Sequence, residues 1–346
     1  MDTPAERLRP EKADPRERGA ALARRFAEVR AATDALAAPL SPEDALVQSM
    51  PDASPAKWHL AHTTWFFETF VLARLDPERA PFHPAYGYLF NSYYDAVGPR
   101  HPRPQRGLLS RPPLEEVRRY RARIDEEVGE ALLSGRAAPV LDALELGLAH
   151  EEQHQELLLT DVKHGLWSNP LRPAYASLPE RGPWAPRLEW LERPGGVGEV
   201  GAGAAGFAFD NERPRHRTWL GPHRLASRPV TAGEWLAFVH ADGYRRPELW
   251  LADGWAAVQR NGWTAPLYWE RDGSRWAQFT LGGMREVDET EAVAHVSFFE
   301  ADAFARWADA RLPTEAEWET AAADAPADGT FAEDRRFHPG TAHAGL

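Results

Sequence analysis

At 346 residues the chain is long enough for two or three domains with a sizeable core, and 43% hydrophobic against 27% charged residues is an ordinary globular balance. A formal charge of −12 implies no basic face and argues against nucleic acid as a partner. The absence of cysteine excludes disulfides, thiolate metal ligands and cysteine nucleophiles.

The first twenty residues, opening "MDTPAERLRPEKADPRERG", are charged, hold no apolar stretch of a secretory signal, and read as a frayed end. No apolar run approaches the about 18 residues that span a bilayer. A cytoplasmic location without membrane contact fits. "GAALARRFAEVRAATDALAAPL" (19–40) has helix-forming composition. "SPEDALVQSM" then places Pro42 at a first helical position with acids behind it, a helix start. "PAKWHLAHTTWFFETFVLARL" (55–75) is another helix, opened by a proline. Residues 76–113 carry prolines and aromatics without a period and read as an ordered, functional loop. "PLEEVRRYRARIDEEVGEALLSG" (113–135) and "PVLDALELGLAHEEQHQELLLTDVKHG" (139–165, closed by Gly165) complete four long helices, the makings of a bundle.

A proline-rich crossing follows, "NPLRPAYASLPERGPWAPR" (169–187), and the composition changes. Short apolar runs cut by glycine and proline predict short strands and turns, with helices embedded at 231–243 and 297–310. The expected organisation is a charged segment and first helix (1–40), the helical bundle with its crossing (41–187), and a second domain (188–346). No internal repeat is evident. The 14 tryptophans line a pocket or fill a core.

His150 and His154 stand at i, i+4. On a helix they lie about 40° apart and roughly 6 Å along the axis, so both can face one metal. A catalytic metal needs a third ligand, and "WHLAHTTWFFE" offers His59 and His62 at i, i+3. The plainer reading is packed core or surface histidines, and spacing alone leaves both open. The string His-Glu-Glu-Gln-His also fits the zinc-protease pattern, with Glu151 as general base. Its usual extensions fail: Leu157 and Thr160 stand where glycine and histidine belong, and the region expected to hold a later glutamate ligand is the proline-rich crossing. In the loop, Arg100, Arg103, Arg106 and Arg111 suit a carboxylate clamp, while Tyr93 and Tyr94 supply phenols for proton donation. A solvated basic loop is the plain alternative there.

Three stretches, "SPAKWHLAHTTWFFETFVL", "PAYGYLFNSYYDAVGPRHPRPQRGLLSRP" and "HEEQHQELLLTDVKH", together resemble the bacterial sulfoxide synthases of ergothioneine biosynthesis. "FAFDNERPRHRTWLGPHRLASRPVTAGEWLAFV", "GYRRPELWLADGW" and "VSFFEADAFARWADARLPTEAEWE" agree, so the resemblance covers about residues 40–320. It implies an α+β chain: a DinB-like four-helix bundle, then a formylglycine-generating-enzyme-like domain related to C-type lectins. It implies a non-haem iron and O2-dependent joining of hercynine, the trimethylated betaine of histidine, to the sulfur of cysteine or γ-glutamylcysteine as a sulfoxide. By the same resemblance His62, His150 and His154 are the Fe(II) ligands, Gln153 faces hercynine, Tyr93 and Tyr94 belong to the active site, and Arg103 and Arg106 hold the thiol's carboxylate. His59 is then structural. The choice of iron over zinc rests on the resemblance, since three histidines also hold zinc. Formylglycine-generating chemistry itself is excluded, because it runs on cysteines. The family continues past "RLPTEAEWE" with segments unmatched here, which implies a second domain shortened at its C-terminus. Rival readings are a selenoneine synthase using a selenosugar, a non-catalytic metal- or ligand-binding remnant and, last, a zinc endopeptidase. Oligomeric state is not legible.

Overall fold

The computed structural model of the protein describes residues 14–94, 96–178, 185–326 and 329–341. The chain divides into two compact units, Met1–Tyr175 and Ala176–Leu346. The proline-rich crossing read at 169–187 spans that division, and its residues 179–184 lie outside the described ones.

The first unit is built on four long helices: α1 (Pro15–Ala37), α2 (Ala56–Phe67), α3 (Leu114–Leu133) and α4 (Leu141–Ser168). Helix α1 begins earlier than composition suggests. Asp14 caps it, accepting the Arg16 amide at 3.0 Å, and Pro15 takes the first helical position. The expected fraying is thus corrected for residues 15–18; residues 1–13 lie outside the described ones. The helix expected from Ser41 is also corrected. Ser41 and Asp44 cap each other at 3.1 Å, yet only a single 3-10 turn, Asp44–Leu46, follows. The chain turns extended at Val47, and Pro51 and Pro55 further on cannot donate to a helix ladder. Helix α4 runs past Gly165 and ends at Ser168, with Asn169 extended ahead of Pro170. Helix α2 continues through a π-helical turn, Glu68–Leu72, and one last turn, Ala73–Leu75. The loop after it is ordered around a short helix, Tyr86–Phe90, and a 3-10 segment, Arg103–Leu108.

Apolar residues at helical spacing fill the bundle. Val117, Tyr120, Ile124 and Val128 of α3, and Leu144, Leu148 and Leu158 of α4, are wholly buried. Every residue of α2 is buried, so its polar side chains must find partners inside. At mid-bundle the carboxylate of Glu151 on α4 accepts from Arg30 (2.8 Å) and Thr33 (2.7 Å) of α1 and from Arg121 (2.7 Å) of α3. Arg30 also donates to Thr64 of α2 at 3.0 Å, so the network ties all four helices. Burial would raise the Glu151 pKa, but the two guanidinium charges and these hydrogen bonds hold it at about 2.

The second unit is mixed α and β. Strands β1 (Trp190–Arg193) and β4 (His223–Ala226) pair antiparallel, as do β2 (Gly196–Val200) and β3 (His216–Leu220). Strands β5 (Trp269–Asp272), β6 (Arg275–Thr280) and β7 (Gly283–Glu286) form a meander. Three helices start at Ser/Thr-x-x-Glu capping boxes: α5 (Ala232–His240) at Thr231, α7 (Phe298–Trp307) at Ser297 and α8 (Glu315–Ala322) at Thr314. Helices α6 (Ala252–Asn261) and α8 were not foreseen. Here tryptophan is core material: Trp235 stacks on Phe304 at 4.9 Å, and Trp250, Trp269 and Trp276 are buried in the same cluster.

A candidate three-histidine metal centre

Gly147 lets α2 and α4 approach closely one turn before His150. A Cβ on it would stand 2.7 Å from the Phe67 ring and 2.8 Å from Phe66. Just beyond that contact, His62 of α2 faces His150 and His154 of α4, and one ligating atom from each lies within 4.8 Å of the others. The three ring centroids are 4.6 to 5.0 Å apart.

Hydrogen bonding sorts the ring nitrogens. His62 donates Nδ1–H to the Phe90 carbonyl at 2.6 Å, which leaves the lone pair on Nε2. That Nε2 is 3.2 Å from Nε2 of His150. Two nitrogens each about 2.1 Å from one metal, at roughly a right angle or slightly more, stand ~3.1 Å apart. His154 Nδ1 is 2.8 Å from His59 Nδ1, and His59 Nε2 is 3.0 Å from Asp161. The imidazoles are neutral. Burial, then the neighbouring His150 and Arg106 charges, pushes His62 well below the usual histidine range. Burial lowers His150 to about 4, and burial with the surrounding histidines lowers His154 still further. Three neutral, converging imidazoles, one of them (His150) with a buried Nδ1 that has no partner among the described residues, fit a divalent transition metal.

The loop residues lie in two places. Arg106 is buried, with its guanidinium 3.4 Å over the Trp58 ring, and Trp58 stacks on His62 at 4.5 Å. Its Nη1 and Nη2 groups donate to the hydroxyls of Ser54 (2.8 Å) and Ser92 (3.3 Å), and its Nε has no partner among the described residues. Burial and Arg103 lower it to about 10. Tyr94 packs against Trp65, Phe66 and Phe70, and Phe66 in turn packs on His150. Burial raises its phenol. Tyr93 is 71% exposed; its hydroxyl accepts from Arg103 at 2.6 Å, and Arg103 also donates to the Asp52 carbonyl. Gln153 lies exposed on α4, on the flank of the histidine face opposite Glu151. The structure thus gathers His62, His150, His154 and Arg106, sets Tyr94 one ring away, turns Tyr93 and Gln153 outward, and leaves Arg103 half-buried against Tyr93 and Asp52. Asp161 was missed, although it stands at i+7 from His154 on the same helical face. Glu151 is sealed among arginines, at 0% exposure, so it cannot be the general base that a zinc peptidase needs.

Residues 25–158 match the DinB superfamily, and residues 189–345 match the sulfatase-modifying factor enzyme 1-like domain. With the site geometry, this defines a DinB-type helical domain carrying three converging histidines, followed by a sulfatase-modifying-factor-like domain. The chain is 36% identical over 296 residues to the hercynine oxygenase of Mycolicibacterium thermoresistibile, across 84% of this chain and 62% of that protein. It is 35% identical over 311 residues to that of Mycolicibacterium smegmatis (85% and 66%) and 34% over 290 to that of Mycobacterium tuberculosis (84% and 65%). It is a homologue of the hercynine oxygenases. The chain spans just under two thirds of the length of these relatives.

Proposed function

We propose that the chain is a non-haem iron, O2-dependent sulfoxide synthase that joins the imidazole carbon of hercynine to the sulfur of cysteine or γ-glutamylcysteine. The observation that carries this reading is the trio of neutral imidazoles in a homologue of hercynine oxygenases. The balance closes: a C–H and an S–H bond are lost, a C–S bond forms, one oxygen atom ends on sulfur and the other in water. Iron, if bound by these histidines, would supply the redox chemistry that O2 activation needs.

The chain's own residues bind, orient and move protons. His62, His150 and His154 would hold the metal through three neutral nitrogens. Gln153 marks the flank from which hercynine is contacted. Arg106 offers a buried planar fork without a carboxylate partner among the described residues, and a carboxylate of the thiol substrate completes it. Arg103 orders the rim by holding Tyr93. The Tyr94 phenol, kept protonated by burial, donates to the developing anion. Among the described residues no helix is long and apolar enough to cross a membrane, and the proposed place of action is the cytoplasm.

The test is anaerobic reconstitution with Fe(II), then O2, with mass spectrometry of products from hercynine and cysteine, γ-glutamylcysteine or a selenosugar in parallel. A joined product one oxygen heavier with either thiol supports the reading. A product with the selenosugar alone would make the chain a selenoneine synthase. Intact hercynine in every arm, with iron bound, would make it a non-catalytic metal-binding relative.

A further inference from the structure

His59 is 2% exposed and is not one of the three converging histidines, yet both of its ring nitrogens are engaged. On one side, Asp161 Oδ2 accepts the Ser54 amide at 2.7 Å and lies 3.0 Å from His59 Nε2. A carboxylate only accepts, so His59 carries a proton on Nε2, and a neutral His59 then keeps a lone pair on Nδ1. On the other side that Nδ1 is 2.8 Å from His154 Nδ1. Two lone pairs cannot face each other at that distance, so His154 carries its proton on Nδ1. Its Nε2 is then the free acceptor. The opposite arrangement, with His59 donating from Nδ1, would put the His154 proton on Nε2 and spoil it as a ligand.

We propose that Asp161 and His59 are positioning residues of the metal centre: Asp161 fixes the His59 tautomer, His59 accepts from His154, and His154 is thereby held with Nε2 presented to the metal. The inference rests on the three-histidine reading of the site. It revises the expectation that His59 is merely structural. A metal-ligating histidine whose other nitrogen is held by a partner loses about 10–100-fold in metal affinity when that partner is removed. Here the partner is itself a histidine, oriented by a carboxylate seven residues beyond His154 on α4. The arrangement also lets the ring lean on a neutral acceptor rather than on a charge, with the anion one residue further out.

Two measurements test it. First, Co(II) affinity is titrated for the wild-type full chain and for His59→Leu, His59→Gln and His154→Ala. His59→Leu should bind about 10–100-fold more weakly. His59→Gln, whose amide can accept from His154 and donate to Asp161, should recover most of that loss, which a purely space-filling role would not give. Wild-type affinity in His59→Leu alongside lost affinity in His154→Ala would overturn the inference and leave the three-histidine site standing. Equal affinity in His154→Ala and the wild type would bring both down. Second, and independent of any variant's folding, 15N spectra of histidine-labelled, metal-free wild type report the tautomers directly. The expected result is His154 protonated on Nδ1 and His59 on Nε2. A His154 protonated on Nε2 would overturn the relay.

Discussion

The two nitrogens of His62 play different parts. Nδ1–H is held by the Phe90 carbonyl, so the ring cannot rotate without losing a buried hydrogen bond, and Nε2 is what remains for a ligand. A similar division separates the two tyrosines. Tyr94 stands against rings that touch His150, whereas Tyr93 is turned outward and held by Arg103. Tyr94→Phe should therefore leave iron binding intact and lower sulfoxide formation by about 10²–10⁴-fold, diverting O2 to oxidation of the thiol alone. Tyr93→Phe should have a smaller effect. Product ratios by mass spectrometry check this, and unchanged rate and ratio in Tyr94→Phe would remove the phenol from the chemistry. Arg106→Met should raise the KM for the thiol while metal stoichiometry stays constant, because the guanidinium touches Trp58 and two hydroxyls but no ligand nitrogen. Steady-state kinetics at varied thiol, with metal analysis, would show it.

At the scale of the helices, the three converging histidines depend on how closely α2 and α4 pack and on the polar network behind them. Gly147→Ala would drive a methyl into Phe66 and Phe67, costing about 1–3 kcal/mol and loosening the histidine trio, so metal affinity and melting temperature should fall together. Glu151→Gln would remove the carboxylate that Arg30 and Arg121 share and leave each with one acidic partner, Asp125 and Asp34, so the cost in denaturant titration should fall below the about 3–5 kcal/mol of a wholly unpaired buried charge. The sign of the pH effect follows from the lowered carboxylate pKa. Glu151 titrates at about 2 when folded and near its ordinary value when unfolded, so its contribution is full above about pH 5 and is lost as pH falls toward 2. The loss should amount to about 3 kcal/mol, absent from Glu151→Gln. Much of this layer is legible in the sequence. The i, i+4 histidines, the apolar spacing of Val117, Tyr120, Ile124 and Val128, and the capping boxes at Thr231 and Ser297 are all local patterns. The pairing of His59 with His154 is not, because it depends on the register of α2 against α4. Nor is the burial of Glu151, which reads as one more surface acid on a Glu-rich helix until Arg30 and Arg121 arrive from other helices.

Over the whole molecule, the two units differ in how they are closed. The first holds a four-helix core tied through the Glu151 network. The second rests on sheets of only two and three strands, which are marginal on their own. Hydrogen exchange should show the second unit opening at lower denaturant than the first; simultaneous opening of both would contradict this. The central claim, that His62, His150 and His154 together hold one iron, is tested most directly by anaerobic equilibrium dialysis of Fe(II) against the wild type and the three single alanine variants. One iron per chain is expected in the wild type, with loss of most of it in each variant. Stoichiometric iron retained by His150→Ala would contradict it.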